Sequence, residues 1–306
     1  MTRKPTRRET LGALVFGTLG VAALEHPHWW VDPAREVRDH YRRQRAKGRY
    51  KTIAHEFLQM EEGILPILNP YEKLSLEPQV AILDEVIDNL VRAVKKQYKR
   101  GSDSMIATLT AMNDVIDERF DLERTGLLAY GLTAKKIDCD HRTIICLAVA
   151  EVLGLSLQAA RMPYHVFLQY PTPNGSQNWD MNLAMSVSNS GYISDFGLGE
   201  YQDGVFLSPL TRDGILSLEY FTMGSILGLK GHYELAEQYL TEAIRLNPKF
   251  PEAYCERGTA RAILASANHD PTKRRRAIQD YDAAITLFPG FGKAHQFRKE
   301  TLRKAA

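Results

Sequence analysis

Residues 135–154, KKIDCDHRTIICLAVAEVLG, place a cysteine at the start of an apolar helix. The turn Asp138-Cys139-Asp140 opens the apolar run from Arg142 to Leu153, and the run ends at Gly154. A thiolate at a helix start is favoured by the unpaired backbone N–H groups and by the positive end of the helix dipole. The backbone N–H of Cys139 is also a candidate oxyanion-hole donor. Cys139 is therefore our candidate nucleophile.

The segment from Met162 to Tyr170 supplies a candidate base. Its residues alternate in the way expected of a strand with two different faces, Tyr164, Val166, Leu168 and Tyr170 against His165, Phe167 and Gln169. We expect His165 and Gln169 to share the face that meets the helix start. His165 would then accept the proton of the thiol.

An acid that orients His165 follows in Asn178-Trp179-Asp180, which gives the order Cys, His, Asp. We assign this role to Asp180. Asn178, Asn182 and Asp195 are the alternatives that the sequence leaves open. For Trp179, lining a substrate groove and filling the edge of the sheet are equally consistent with the pattern.

We predict that two other residues near the thiol have structural roles and take no part in catalysis. His141 follows Cys139 by two residues, a rotation of about 200° around a helix, so His141 points away from the thiol. Cys146 lies about 10 Å along the same helix, too far for a disulfide with Cys139. We predict that Cys146 is a core residue and that the chain has no disulfide.

These motifs resemble those of bacterial transglutaminase-like domains. The resemblance rests on Cys139 at a helix start, Ala-Glu-Val-Leu-Gly-Leu at 150–155, the segment 162–168 and Asn178-Trp179-Asp180, and it spans roughly residues 105–215. It implies an α+β, papain-like core with Cys139 as nucleophile, His165 as general base and acid, and Asp180 as the orienting residue. We predict no cofactor and no metal site. Related domains often have Gly or Asn before the cysteine, where this chain has Asp138.

The chain has 306 residues, of which 44% are hydrophobic and 25% charged, a composition typical of a globular protein with room for two domains. The net charge of +2 gives no reason to expect nucleic-acid binding.

Residues 1–24 have the composition of a signal or membrane-anchor segment. Arg3, Lys4, Arg7 and Arg8 precede an uncharged run from Thr10 to Leu24, which is short for a bilayer span and suits a signal sequence. We expect an exported protein, either periplasmic or held at the membrane by this segment.

An N-terminal helical region is expected over residues 34–104. Its clearest helix runs from about Glu77 to Lys99, with apolar residues at helical spacing, and Gly101 stops it. A second helix, from about Ser104 to Arg119, repeats the pattern.

From residue 217 to residue 306 the sequence has the spacing of tetratricopeptide repeats with a final capping helix from Gly292 to Arg303. The first copy has Tyr220, Gly224, Ala236, Leu240, Ala243 and Pro248, and the second has Tyr254, Gly258, Ala277, Tyr281, Ala284 and Pro289. Seven extra residues stand between the helices of the second copy, and we expect the cationic run Lys273–Arg276 among them to be a solvated loop. The repeats should dock on the preceding domain and bind a protein partner.

Two functions of different classes follow. The first is a cysteine-dependent acyl-transfer enzyme that acts on an amide or a peptide, with hydrolysis favoured over crosslinking by the resemblance. The second is a non-catalytic transglutaminase-like scaffold that acts as a protein-interaction adaptor. Asp138 and Asp140 favour the second, because two carboxylates beside a thiol oppose its ionisation.

Overall fold

The computed structural model describes residues 52–69, 75–99 and 104–303. The chain divides into two units, residues 1–31 and 32–306, and every described residue belongs to the second. The predicted signal or anchor segment, residues 1–24, lies outside the described residues. Residues 34–51, 70–74 and 100–103 of the predicted N-terminal helical region lie outside them as well.

Within the described residues, four helices precede the first strand. They are α1 (Ile53–Glu62), α2 (Leu65–Leu68), α3 (Glu77–Lys99) and α4 (Met105–Arg119). The two predicted helices are thus confirmed, α3 over the predicted span and α4 to within one residue. Leu83, Ile87, Leu90 and Val94 of α3 are fully buried, since apolar residues at this spacing share one face of a helix.

The central part of the chain combines helices with two small sheets. Its helices are α5 (Leu128–Ala134), α6 (Cys139–Leu153) and α7 (Asn189–Asp195). Strands β1 (Asp121–Leu122) and β2 (Lys136–Ile137) pair in parallel. Strands β3 (Gln158–Met162), β4 (His165–Thr172), β5 (Gly175–Asp180) and β6 (Met185–Val187) form an antiparallel sheet in that order. Helix α6 packs against β3 and β4.

The single strand predicted from Met162 to Tyr170 is wrong, because the chain reverses direction within it. Pro163 and Tyr164 form the turn of a hairpin that pairs Met162 with His165, and Tyr164 has a left-handed φ of 55°. Pro cannot donate to a sheet ladder, so a turn is a favourable place for it.

The predicted face of β4 is wrong as well. Val166 and Leu168 lie on the face of β4 that packs in the main core, together with residues of α6. Phe167 lies on the opposite face and belongs to a smaller cluster. His165 reaches the site because it begins the strand, beside the turn.

Five helices complete the chain and confirm an all-helical C-terminal segment. They are α8 (Arg212–Leu229), α9 (Tyr233–Leu246), α10 (Pro251–Ala267), α11 (Pro271–Leu287) and the capping helix α12 (Gly292–Arg303), whose span is the predicted one. The glycines of the pattern mark close approaches: a Cβ on Gly224 would lie 2.7 Å from Leu240 Cγ, and one on Gly258 would lie 2.9 Å from Tyr281 Cε1.

The seven extra residues of the second repeat lengthen its helices and form no loop, which corrects the prediction for Lys273–Arg276. In the first helix of each repeat, α10 continues nine residues past Gly258, whereas α8 continues five residues past Gly224. In the second helix, α11 starts six residues before Ala277, whereas α9 starts three residues before Ala236. Both connections have three residues, 230–232 and 268–270. Asp270 caps α11 by accepting from the backbone N–H groups of Thr272 and Lys273, and Pro271 occupies the first turn, where it costs no hydrogen bond.

The repeat helices pack on the central part of the chain through polar contacts. Arg212 of α8 bridges Glu56 of α1 and Glu151 of α6 at 2.5 and 2.8 Å. Arg161 of β3 forms a buried ion pair with Glu252 of α10. Across 52–69, 75–99 and 104–303, no helix combines the length and the apolar character that crossing a bilayer requires.

Candidate active site

Cys139 is the first residue of α6, as predicted. Asp138 is the N-cap and its Oδ1 accepts a hydrogen bond from the backbone N–H of His141 at 3.3 Å, so the local sequence fixes where the helix begins. The thiol is partly buried and lines a cleft.

The environment of the thiol favours its protonated form. Cys139 Sγ donates to Asp140 Oδ1 at 3.1 Å. Burial, followed by the charges of Asp140 and Asp138, raises the pKa of Cys139 well above its ordinary value of 9.0, and a hydrogen bond with the backbone of Val166 opposes this shift. The resting thiol therefore keeps its proton at neutral pH.

His165 and Asp180 are brought together. His165 Nε2 lies 2.7 Å from Asp180 Oδ2. Because Nε2 is engaged with Asp180, Nδ1 is the ring nitrogen that remains for proton transfer. The ring stacks against Phe167 and Phe196, with centroid distances of 6.1 and 5.8 Å. These contacts fix the plane of the imidazole.

Asp180 is held as a carboxylate by several donors. Its Oδ1 accepts from the backbone N–H groups of Asn182 and Leu183 at 2.8 and 3.1 Å, and Oδ2 also accepts from the Tyr192 hydroxyl at 3.0 Å. Burial raises the pKa of Asp180, but the hydrogen bond and charge of His165 and the two backbone donors outweigh burial and lower it overall. An ionised Asp180 can stabilise a protonated His165.

The alternative orienting residues are engaged elsewhere or exposed. Asn178 bonds to Gln169, to the Val187 carbonyl and to Asn189. Asp195 is exposed at the end of α7. Asn182 lines the cleft, and its backbone N–H donates to Asp180. The role of each residue in a reaction remains a prediction.

Three other residues that stand near the site residues in sequence are buried in the protein interior. Trp179 is buried in the core and donates from Nε1 to Asn113 Oδ1 at 2.8 Å. His141 is buried with Nδ1 3.2 Å from Asp138 Oδ1. Cys146 is fully buried, and all three cysteines are free.

A cleft of about 950 Å³ contains both Cys139 and His165. One side is formed by the segment Leu122–Gly126, by Asp138–Asp140 and by residues around the hairpin turn. The other side is formed by repeat helices α8 and α10 and by Lys293 of α12. The sequence gives no local signal for this arrangement, because it depends on how the repeats pack against the central sheet.

A pair of buried carboxyl groups joins the first repeat helix to the base of the site. Glu61 of α1 accepts from the backbone N–H groups of Leu128 and Ala129 at 2.5 and 2.8 Å, and Glu219 of α8 contacts Glu61. Burial raises the pKa of both groups, and that of Glu219 lies well above its ordinary value. The two N–H donors favour the ionised form of Glu61, so the shared proton resides on Glu219.

Within the part of the chain that the structure describes, no three His, Cys, Asp or Glu side chains are grouped so as to hold a metal ion.

Comparison with known proteins identifies one class of module. Residues 220–250, which cover most of α8 and all of α9, match the family model of the tetratricopeptide repeat. No curated protein matches the chain. Tetratricopeptide repeats are protein-interaction modules, so this match supports a protein-interaction module in the helical C-terminal part of the chain. Nothing in the comparison supports the transglutaminase-like resemblance.

Proposed function

We propose that this protein is a cysteine-dependent acyl-transfer enzyme with a papain-like, transglutaminase-like domain at residues 105–215 and a protein-binding repeat segment at residues 217–306. The observation that carries the proposal is that His165 lies in the same cleft as Cys139, at a helix start, and is hydrogen-bonded to the buried Asp180. Asp180 receives three further hydrogen bonds, which keep it ionised.

The proposed reaction follows from these positions. The Cys139 thiol gives its proton to His165, and the thiolate attacks an amide carbonyl carbon, forming a C–S bond. His165 then donates this proton to the leaving amine as the C–N bond breaks. Water, deprotonated by His165, hydrolyses the thioester and restores the thiol. The backbone N–H of Cys139 is the candidate donor to the oxyanion.

The test uses p-nitrophenyl acetate, an activated ester that needs no specificity pocket. We expect release of p-nitrophenolate together with an acetyl group on the Cys139 peptide, detected by mass spectrometry. Cys139→Ser should abolish both. His165→Gln should slow turnover by at least about a hundredfold, since a general base or acid contributes on this scale.

The matched control is His269→Asn, which replaces an exposed histidine whose left-handed φ of 52° asparagine tolerates. It should turn over the ester at the rate of the unaltered protein. Turnover that persists in Cys139→Ser, or that ignores His165→Gln, would rule out the proposed reaction.

A non-catalytic adaptor is the second candidate, and a specific observation favours it. The thiol donates to Asp140 and its pKa is raised, which is the opposite of what an activated nucleophile requires. In this case no acetyl group appears on Cys139, while a protein captured by the repeats is retained equally by the unaltered protein and by Cys139→Ser.

Export, with residues 1–24 as a cleaved signal or retained anchor, is also a proposal. Mass analysis of a C-terminally tagged chain from fractionated cells tests it. A mature protein that starts near Leu24 in the periplasmic fraction, or an intact chain in the membrane fraction, supports export. An intact chain in the cytoplasmic fraction would refute it.

A further inference from the structure

The repeat helices form one wall of the cleft that holds the thiol. Phe221 and Ser225 of α8, Glu252 and Glu256 of α10 and Lys293 of α12 all line it. Helices α8 and α10 open their helix pairs and α12 is the cap, so the residues come from one side of the stack. The surface that a repeat segment offers to a partner is therefore continuous with the candidate active site.

Exposed apolar residues border this cleft on both sides. Leu229 at the end of α8 is 87% exposed and Leu122 of β1 is 43% exposed. Tyr164, in the hairpin turn, is 48% exposed. Large apolar side chains left in water around a concave site mark a surface that a ligand covers.

Four residues of the cleft lining also have a buried polar side-chain atom that lacks a hydrogen-bond partner among the described residues. These atoms are Thr125 Oγ1, Asn182 Oδ1, Ser225 Oγ and Glu252 Oε1. Glu252 is only 2% exposed, and its other carboxylate oxygen, Oε2, pairs with Arg161. A buried polar atom left unpaired costs about 1–3 kcal/mol. The amide and carboxylate oxygens can only accept hydrogen bonds, so the missing partner is a donor.

The charges at the thiol end of the cleft are unbalanced. Of the three cations that line the cleft within the described part of the chain, Arg161 pairs with Glu252 and Lys293 pairs with Glu256, and Arg124 is exposed. In residues 52–69, 75–99 and 104–303, no lysine or arginine pairs with Asp138 or Asp140. The cleft therefore presents two carboxyl groups beside the thiol.

We propose that the cleft binds an extended polypeptide segment with a lysine or arginine side chain, whose cationic group lies against Asp138 and Asp140 beside Cys139. The apolar neighbours of the basic residue cover Leu122 and Leu229, which are exposed in the unbound protein. As a statement about substrate, the inference rests on the proposed acyl transfer.

Such a ligand would also change the thiol. Burial, and after it the charges of Asp140 and Asp138, hold the proton on Cys139. A cation beside them offsets their effect and favours the thiolate. The bound substrate would thus activate the nucleophile, which accounts for a raised pKa in the unbound protein.

The test measures binding of fluorescein-labelled ten-residue peptides that differ only in a central lysine, norleucine or glutamate. Fluorescence anisotropy is recorded with full-length Cys139→Ser, in which no turnover can occur. The lysine peptide should bind at least about fivefold more tightly than the norleucine peptide, the scale of one partly exposed ion pair, and the glutamate peptide should bind most weakly. Raising the salt concentration should reduce the difference.

The variant Asp138→Asn with Asp140→Asn should remove the preference for lysine, and asparagine at 138 retains the helix N-cap. Asp114→Asn, an exposed carboxyl of α4 outside the cleft, loses charge too and should keep the preference. Equal binding of the three peptides, no binding of any, or a preference that survives the double substitution would overturn the inference. Turnover of p-nitrophenyl acetate does not depend on the peptide, so the acyl-transfer proposal is judged separately.

Discussion

Replacing Glu219 with glutamine should change how the stability of this protein depends on pH. In the folded chain Glu219 is buried against Glu61 and its pKa is raised well above the ordinary 4.5, first by burial and then by the charge of Glu61. An unfolded chain exposes the same group to water, where it ionises near its ordinary value. Folding at neutral pH therefore takes up a proton at this site.

The sign and size of the effect follow from this difference. A carboxyl whose pKa is raised on folding stabilises the fold below the unfolded pKa, and this contribution is lost as the pH rises toward the raised folded pKa. The loss is about 1.4 kcal/mol for each pH unit. Glutamine donates to Glu61 as the protonated acid does but never ionises, so Glu219→Gln should lack this slope.

Urea unfolding followed by circular dichroism at pH 5, 6, 7 and 8 measures the difference. The variant should match the unaltered protein near pH 5 and exceed its free energy of unfolding by a margin that grows with pH, by at most about 1.4 kcal/mol for each unit, until the pH reaches the folded pKa of Glu219. Glu62→Gln, an exposed neighbour of Glu61, should follow the unaltered protein throughout. If the curves of Glu219→Gln and the unaltered protein run parallel from pH 5 to pH 8, the assignment of a proton to Glu219 in the folded chain is wrong.

Two further predictions concern the repeats and the thiol. Gly258→Ala should lower the free energy of unfolding by about 1–3 kcal/mol, since the new Cβ would lie 2.9 Å from Tyr281. Gly228→Ala meets only an ordinary contact at 3.7 Å and should gain up to about 1 kcal/mol from helix propensity; shifts of the same sign in urea unfolding would contradict this packing. Asp140→Asn should lower the pH midpoint of iodoacetamide labelling at Cys139, because the charge of Asp140 adds to burial in raising the pKa of the thiol. An unchanged midpoint would mean that Asp140 does not help to hold the proton.

The sequence predictions that succeeded rested on patterns within short segments of the chain. The bounds of α3 follow from apolar residues at helical spacing, and the start of α6 follows from the polar turn before an apolar run. The repeat helices were predictable because the same small and aromatic residues recur in two copies. Each of these signals lies within about 35 residues of sequence, the scale of one repeat unit.

The predictions that failed depended on competing local signals. Pro163 and Tyr164 continue the alternation of a strand in sequence, although the left-handed φ of Tyr164 reverses the chain. Pro271 resembles a helix breaker, but after an Asp N-cap it occupies the first turn, where a missing N–H costs nothing. In both cases a proline marks the boundary of an element, and the residues next to it decide whether this boundary is a hairpin turn or the start of a helix.

The cleft and the acid pair lay beyond sequence reasoning for a different reason. Glu219 stands between Leu218 and Tyr220 in a repeat helix, and nothing near it in sequence indicates Glu61 as its partner. The candidate site itself was half predictable: the order Cys, His, Asp is visible in the chain, but the effect of Asp140 on the thiol depends on burial.

The helices of the second repeat continue further towards their connection than those of the first, but the residues that pack the two helices together are in the same places. Gly258 and Ala277 hold α10 and α11 together at the same places as in the first repeat, and the added turn extends the hairpin tip by about 6 Å beyond them. Because the contact residues stay where they are, the tip can gain or lose a turn while the interior of the stack is unchanged. Lys273 in this turn reaches back to Glu237 of α9 at 3.3 Å and braces the overhang against the first hairpin. The tip is thus the place where related chains can vary the outline of the stack at the least cost to its stability.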